Sequence, residues 1–548
     1  VPALLCQFLR PHQRSGVQFV YDSVTGRRHG GYGCILADDM GLGKTLVTIA
    51  ALYTLLQLGE VEGAPFKRAV VVCPCSLVGN WTAEFEKWVN SRASTRKQRI
   101  EVKAVLETRE ADNVIGAFLS PQRPAHVLVI SYDTFRGKVD LFKGPCACDV
   151  LVADEAQRLK GAATQLYEAF GGLPCRRRIL LTGTPLQNDL DEFHALSNAA
   201  NPGLLGSASD FSKKFSSPIS AARDRGASEL ALKAGAAAQA ALSVRAVEFM
   251  LRRENKINAI HLPPKLVQVV CCAPAAAQIA AYRAIVDDKH LRHALEGKQK
   301  DVLGVLGKLQ KLCNHPALLL ADAKPPDEAA SAKMHVLKRL MHEPLVGGIA
   351  LFRRRLLDVG LRCTPCRRLR RRDEGPGGNE RIVVVANATS VLTLIGALCD
   401  RQGWPWVMLD GKTPAKRRTE IAAELNDPKS HFFALLLSST AGGAGLNLIG
   451  ASRLVLFDSA WNPAVDRQAA ARCWRDGQTR RCFTYRLLTT GTVEEKIFQR
   501  QLAKDGLNGV LDDKDAVNAF DTTELRRLFS LTATATSDTH EQLRCDCC

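Results

Sequence analysis

No apolar run in these 548 residues is long enough to cross a bilayer as a helix, which takes about 20 consecutive apolar residues. That leaves out a helical membrane anchor and a membrane partner. The opening residues, VPALLCQFLRPHQ, lack both an initiating Met and the layout of a secretory leader, so the chain reads as a cut from a longer protein. A disulfide framework is missing too. Most of the 18 cysteines stand singly in apolar stretches, Cys34, Cys73 and Cys482 among them. That is small-hydrophobe use in a reducing compartment. Two clusters stand apart, CTPC (Cys363, Cys366) and the terminal HEQLRCDCC. Acid is in deficit, with 56 Asp and Glu against 74 Lys and Arg, a net charge of +18. The excess favours a polyanionic partner such as nucleic acid, although a plain basic surface has the same composition.

What is present is a repeated strand-and-helix text in a chain long enough for several domains. From 31 to 185, YGCILAD, RAVVVCP, HVLVISY, DVLVADE and RRILLTGT alternate with helix-length segments. Short apolar runs in that arrangement predict a parallel sheet covered on both faces. The pattern returns at 381–490 with RIVVVAN, PWVMLDG, FALLLSS, RLVLFD and FTYRLL. The fold class is therefore α/β with two parallel-sheet lobes. Between them the text turns rich in Ala, Lys and Leu, and ASELALKAGAAAQAALSVRAVEFMLRR is strongly helical. The expected division is a first lobe at 1–200, helical insertions and linker at 201–340, an Arg-rich mobile insertion at 341–380, a second lobe at 381–505 and a small C-terminal extension at 506–548. RRLRRR at 367–372 reads as a solvated loop, a nuclear address or a DNA contact.

The stretch ILADDMGLGKT, 35–45, carries the first chemistry. A strand, a Gly-containing turn and a helix start aim backbone N–H groups at phosphates. Gly41 and Gly43 allow close backbone approach, and Asp39 lies within the loop. Lys44 reaches the β- and γ-phosphates, and Thr45 joins a magnesium shell. A strict phosphate loop has Gly six residues before its Lys, where this chain has Asp38. The second half of the site is VLVADEAQRLK, in which a buried strand ends in Asp154 and Glu155. Asp154 sits where a carboxylate holds the magnesium shell, and Glu155 can polarise the attacking water. Gln13, in LRPHQRSGVQF, is a candidate to read adenine's edge, so ATP and magnesium are the expected cofactors. In the second half of the chain, WNPAVDRQAAARCWRDGQ places Gln468, Arg472 and Arg475 on one helical stretch. Arg472 and Arg475, three apart, would share a face and meet the charge growing on a phosphate in transit.

LADDMGLGKT, DEAQ, LTGTPLQN, LDGKT, SSTAGGAGLNLIGASRL and WNPAVDRQAAARCWRDGQ occur in that order. They resemble the helicase motifs of the Swi/Snf-type ATPases, a branch of helicase superfamily two. The resemblance runs over nearly the whole chain except 351–380, and it implies RecA-like lobes of the P-loop NTPase type. In that family an acidic residue replaces the first loop Gly, so Asp38 fits. NPGLLGS, KLCNHPALL, CWRDGQ and GTVEEKIFQRQ look like the Rad-fifty-four-like recombination repair translocases. DEAQ departs from the DEGH-like text usual there, VVVANATSVL lacks an expected aromatic after Asn387, and the Arg-rich insertion is foreign.

The resemblance implies a DNA-dependent ATPase that tracks double-stranded DNA without separating its strands, in the nucleus. A strand-exchange recombinase filament would be met through the missing N-terminal region, and nucleosomes are a further expected partner. Candidate DNA grips on loops after strands are Asn80, Trp81, Ser131, Tyr132, Lys160 and Thr182 to Thr184 in the first lobe. Lys412, Ser439, Thr440 and Trp461 are those of the second. Arg252 and Arg253, in MLRRENK, either pair with buried acids or couple the lobes. The tail offers His540, Cys545 and Cys548 as zinc ligands with C-x-x-C spacing, against a frayed terminus with free thiols. The rivals are a nucleosome remodeller, a catalytically inert DNA-binding scaffold and a strand-separating helicase. The retained Lys44, Asp154, Glu155 and arginines argue against the scaffold, and no text reads as a separation pin.

Overall fold

The structure, a computed structural model, describes residues 3–28, 30–58, 60–61, 64–120, 125–144, 147–159, 164–183, 190–222, 227–288, 300–319, 328–346, 380–439, 445–461, 463–507, 527–532, 537 and 539. The chain divides into two compact units, Val1–Ile260 and His261–Cys548.

In the first unit seven strands form one sheet: β1 (Gly33–Leu36), β2 (Ala69–Cys73), β3 (Val102–Ala104), β4 (Val127–Ser131), β5 (Val150–Asp154), β6 (Arg178–Leu181) and β7 (Met250–Leu251). Their spatial order is β3-β4-β2-β5-β6-β1-β7, and all neighbours run parallel. Successive residues of a strand point to opposite faces, and here both faces are buried. Val70, Val72, Leu128, Ile130 and Leu151 enter one core. Val71, Cys73, Val127, Val129 and Val152 enter the other. That second face is covered by α1 (Pro11–Val24), α2 (Lys44–Leu58) and α3 (Val78–Trp88), through Val17, Val20, Ile49, Leu52, Trp81 and Phe85. A long helix, α4 (Glu229–Phe249), closes the first face with Leu242, Ala246 and Phe249. Parallel alignment brings the carboxyl ends of β1, β6 and β5, side by side in the sheet, to one edge.

The second unit has six strands: β8 (Lys265–Cys272), β9 (Ile382–Ala386), β10 (Trp406–Leu409), β11 (Ala434–Ser438), β12 (Arg453–Leu456) and β13 (Cys482–Thr489). They lie in the order β8-β13-β12-β9-β11-β10, again all parallel. Val383, Leu435 and Leu454 face one core, and Ile382, Val384 and Leu436 face the other. Helices α5 (Lys300–Asn314), α6 (Ala332–Val346), α7 (Pro463–Ala470) and α8 (Val493–Leu507) belong to this unit.

Two expectations about 201–340 need correction. The first unit runs on to Ile260, because Met250 and Leu251 pair with Ile35 and Leu36 as an added strand. KLVQVVCC, expected inside helical insertions, is the edge strand β8, paired to β13 along all eight residues. Its Val267 is 56% exposed, so the edge position hides the burial signal of a central strand. Most of the Arg-rich insertion, 347–379, lies outside the described residues, as do His540, Cys545 and Cys548.

Candidate nucleotide-binding site

Residues 37–43 link β1 to the first turn of α2. Gly41 and Gly43 hold φ of +86° and +83°, left-handed backbone that side chains disfavour. A Cβ on Gly43 would stand 2.4 Å from Gln13 Nε2. The turn aims the first amides of a 15-residue helix at the loop, and those amides and the helix dipole suit an anion. Lys44 opens that helix, with Thr45 half-buried behind it. The Lys44 Nζ donates to the Asp38 carbonyl at 2.5 Å and the Asp39 carbonyl at 3.4 Å. Burial pushes the Lys44 ammonium below its ordinary range, while Glu155, Asp38 and Asp154 pull it back. So the ammonium sits near carboxylates and is bound by two loop carbonyl oxygens. The donor set fits a nucleotide triphosphate: an ammonium, helix-start amides, and two glycines that leave room for it.

Asp154 ends β5. Its Oδ2 accepts from Trp81 Nε1 at 2.9 Å, and its Oδ1 from the Glu155 amide at 3.0 Å. Burial, then the Glu155 charge, push Asp154 up to about 6, against the Trp81 bond and Lys44. Glu155 has φ of +54°, the single non-glycine residue in that region among the described residues. Such a conformation costs on the order of 1–3 kcal/mol and persists where surroundings over-determine it. The Glu155 amide is bonded to the Asp154 carboxylate, and a relay holds the Glu155 carboxylate. Gln157 Nε2 donates to Glu155 Oε2 at 2.7 Å, and Thr182 Oγ1 donates to Gln157 Oε1 at 3.0 Å. Thr182 follows β6, and a Cβ on Gly183 would stand 2.7 Å from Met40 Cε. DEAQ thereby connects the end of β5 to the segment packed on the phosphate loop. We expect Gln157→Leu to lower kcat by about 10-fold or more with nucleotide affinity kept, since it releases the Glu155 carboxylate without touching the loop. Single-turnover and binding measurements check this, and an unchanged kcat would count against the relay.

Sequence reasoning missed the frame around the loop. Arg253 forks onto Asp38, its Nε at 3.0 and 3.1 Å from the two carboxylate oxygens and its Nη2 bonded to Oδ2. Its Nη1 also bonds the His12 carbonyl and donates to Ser15 Oγ at 3.1 Å. The Asn255 amide donates to Asp39 Oδ2 at 3.0 Å, Asn255 Nδ2 to the Met40 carbonyl at 2.8 Å, and Asn258 Nδ2 to the Gly41 carbonyl at 2.7 Å. Of the two readings of Arg253, pairing with a buried acid is the one observed. Asp39, expected to touch cofactor, has its carboxylate on the Asn255 amide. Gln13, expected at the base, is 2% exposed. Its Oε1 accepts from the Arg10 amide, and its Nε2 donates to the Leu42 carbonyl at 3.3 Å. It sits beneath the loop.

In the second unit Gln468 lies on α7, which ends at Ala470. Arg472 and Arg475 follow in the turn, so the shared helical face does not exist. A contact from outside the helix replaces the ladder here: the Arg472 carbonyl accepts from the Leu448 amide at 3.1 Å. Arg472 is 6% exposed, and Arg475 Nη1 donates to the Leu446 carbonyl at 3.3 Å.

The expected DNA grips divide. Asn80 on α3 and Lys412 are exposed. The Lys412 amide caps Asp410 Oδ1 at 3.0 Å, which presents its side chain at a turn. Ser439 is half-buried. Trp461 is half-buried against the cluster of Tyr282, Leu306 and Val493. Ser131 and Thr182 are corrected: they are 5% and 1% exposed. The Ser131 oxygen caps a helix through the Thr134 amide, and the Thr182 hydroxyl serves Gln157, so neither faces solvent. Trp81 and Tyr132 are core residues that brace Asp154, the tyrosine through its carbonyl at 2.8 Å. Lys160, Thr184 and Thr440 lie outside the described residues. No cluster of metal-ligating side chains occurs among the described residues.

Comparison with known proteins gives this architecture its relatives. The SNF2-related domain family matches residues 12–318, and the Helicase conserved C-terminal domain matches 375–477. The chain is 43% identical to DNA repair and recombination protein RAD54 of Oryza sativa subsp. japonica, over 100% of its own length and 56% of that protein's. It is 42% identical to Protein CHROMATIN REMODELING 25 of Arabidopsis thaliana, over 100% and 61%. With DNA repair and recombination protein RAD54-like of Homo sapiens it shares 39%, over 100% and 72%. It thus spans little more than half of the first two of these relatives. Among solved structures, the Sulfolobus solfataricus SWI2/SNF2 ATPase core in complex with dsDNA is 27% identical, with a TM-score of 0.41 over 96% of this chain and 97% of that one. The chain belongs to the SNF2-related family of helicase-like ATPases, within its RAD54-like branch.

Proposed function

We propose that this chain is the motor of a DNA-stimulated ATPase that moves along duplex DNA in recombination repair without opening it. The observation that carries the proposal is the phosphate loop with Lys44 beside Asp154 and Glu155, in a chain 43% identical to a RAD54 protein. In this reading the amides of Gly41 to Thr45 and the Lys44 ammonium hold ATP phosphates. Thr45 and Asp154 would hold magnesium, which would supply charge to offset the phosphates. Glu155, fixed by Gln157, takes the proton of the attacking water at its carboxylate. Gln468, Arg472 and Arg475 are the second unit's candidates for this chemistry, the two arginines as cations that would offset charge on the transferred phosphoryl group. Asn80, Lys412, Ser439 and Trp461 are the DNA-facing candidates that remain on or near the surface.

The test is ATP hydrolysis with no DNA, with single strands and with duplex, paired with triplex displacement and forked-duplex unwinding. Duplex is expected to stimulate, triplex displacement to succeed and unwinding to fail. Efficient unwinding of a blunt duplex would overturn the translocase. Duplex affinity is also expected to fall with salt, because neutralised phosphates release counterions.

Trp461→Ala is expected to keep basal hydrolysis and to lose most of the duplex-stimulated part. A loss of folding instead would return Trp461 to the core it partly touches. The relatives are named for DNA repair and recombination, and in this reading the partner is a strand-exchange recombinase filament and the workplace the nucleus. The Arabidopsis relative's name favours nucleosomes as a second substrate. A zinc ion on His540, Cys545 and Cys548 rests on the sequence alone, and about one zinc per purified chain is its test.

A further inference from the structure

We propose that Cys148 and Cys175 form a reversible thiol-oxidation site, a dithiol that peroxides convert to a disulfide at the amino ends of β5 and β6. The two Sγ atoms lie 3.9 Å apart, and the single Cys148 S–H has two acceptors in reach, the Val150 carbonyl at 2.9 Å and the Cys175 sulfur. Cys148 is half-buried and lies two residues before β5, while Cys175 is 6% exposed and lies three before β6. Those strands are neighbours, with Leu151 opposite Arg178, and this register brings the two loops together.

Arg178 fixes the Cys175 side of the pair. It donates to the carbonyls of Cys175 at 3.0 Å, Gly171 at 3.1 Å, Leu173 at 3.2 Å and Ala199 at 2.9 Å. Formation of the bond takes the sulfurs about 2 Å closer, to the usual ~2.05 Å. The two thiols of the pair differ from each other: burial pushes Cys148 well up, as it does the single cysteines of the cores. Burial pushes the thiols of Cys34, Cys272 and Cys313 up to about 12. The Cys148 hydrogen bond instead holds the Cys175 thiol below its ordinary value, aided by the Arg178 and Arg177 charges. Thiolate character of that kind selects which cysteine reacts.

The chemistry takes one hydroperoxide. The Cys175 thiolate attacks a peroxide oxygen, the O–O bond breaks, and hydroxide leaves to take up a proton. Cys175 is now a sulfenic acid. The Cys148 sulfur attacks it, an S–S bond forms as the S–O bond breaks, and the departing hydroxide takes the Cys148 proton. Two thiols and one hydrogen peroxide give one disulfide and two waters. The carboxyl ends of the linked strands lead to Asp154 and Thr182, so the site sits behind the nucleotide loop's own scaffold.

The experiment treats the full chain with graded hydrogen peroxide, blocks free thiols, digests it and reads the peptides by mass spectrometry. A Cys148–Cys175 linked peptide is expected at doses about 10-fold below those that modify Cys34 or Cys73, and it should vanish with dithiothreitol. Cys148→Ser should stop the reaction at a Cys175 sulfenic acid that dimedone traps, and Cys175→Ser should leave Cys148 a thiol. The proposal is overturned if both cysteines stay free in the wild-type chain while the exposed Cys75 is oxidised. Linkage of either to another cysteine in place of its neighbour overturns it equally.

Discussion

Replacing Lys44 with alanine is expected to abolish ATP hydrolysis, with a loss on the order of 10³-fold or more, and to leave duplex DNA affinity within about 3-fold of wild type. The lysine is half-buried near Asp38, Asp154 and Glu155, and its ammonium already binds two loop carbonyls. Removing it leaves Arg253, already paired with Asp38, as the cation of the loop, so the charge of Asp154 and Glu155 then repels a polyphosphate. The loop backbone keeps its shape, because the contacts of Asn255 and Asn258 to it do not involve the Lys44 side chain. Arg475→Ala is expected to show a comparable loss in kcat with nucleotide binding retained, since its guanidinium would act on transition-state charge. Hydrolysis assays with and without duplex, beside nucleotide and DNA titrations, separate the two variants. Wild-type turnover by Arg475→Ala would overturn the catalytic role proposed for Arg475.

The features legible in the sequence are those that a short window contains. Central parallel strands such as VLVAD and VVVC read clearly because both their faces are buried. The glycines of the loop and the Asp154–Glu155 pair read equally well, since the chemistry needs them at close spacing. Contacts between distant positions did not read. Nothing near Asp38 says that its partner stands 215 residues away. Nor does the local text show that the Thr182 hydroxyl belongs to Gln157 and not to DNA. The helical reading of Arg472 and Arg475 failed because Leu448 takes a carbonyl that a helix would need. Strand β8 escaped because an edge strand shows one sheet neighbour and leaves Val267 in solvent. Local pattern fixes element type and catalytic spacing, and long-range pairing decides which polar groups are already spoken for.

That long-range pairing carries the second large expectation. Arg253→Ala should destabilise the first unit by about 3–5 kcal/mol and weaken nucleotide binding with it. The Asp38 side chain is 2% exposed, and Arg253 is its bidentate partner. Removing the guanidinium leaves a buried carboxylate with no cation beside it other than Lys44, which the nucleotide requires. The same change strips a donor from the His12 carbonyl. Arg253→Lys should recover little, because a single ammonium cannot span both carboxylate oxygens as the planar fork does. Asp38→Asn combined with Arg253→Met should recover more than either alone, since it removes both charges at once and keeps much of the volume. Denaturant unfolding of wild type, Asp38→Asn, Arg253→Met and the double variant gives the coupling energy directly, and nucleotide titration shows whether loop geometry follows stability. A cost below about 1 kcal/mol for Arg253→Ala would mean that the pair is an ordinary surface contact. In that event the acidic residue at the first position of the loop would need another cause. If the cost is as large as expected, Asp38 replaces glycine there because its carboxylate anchors the loop to the last strand of the same sheet.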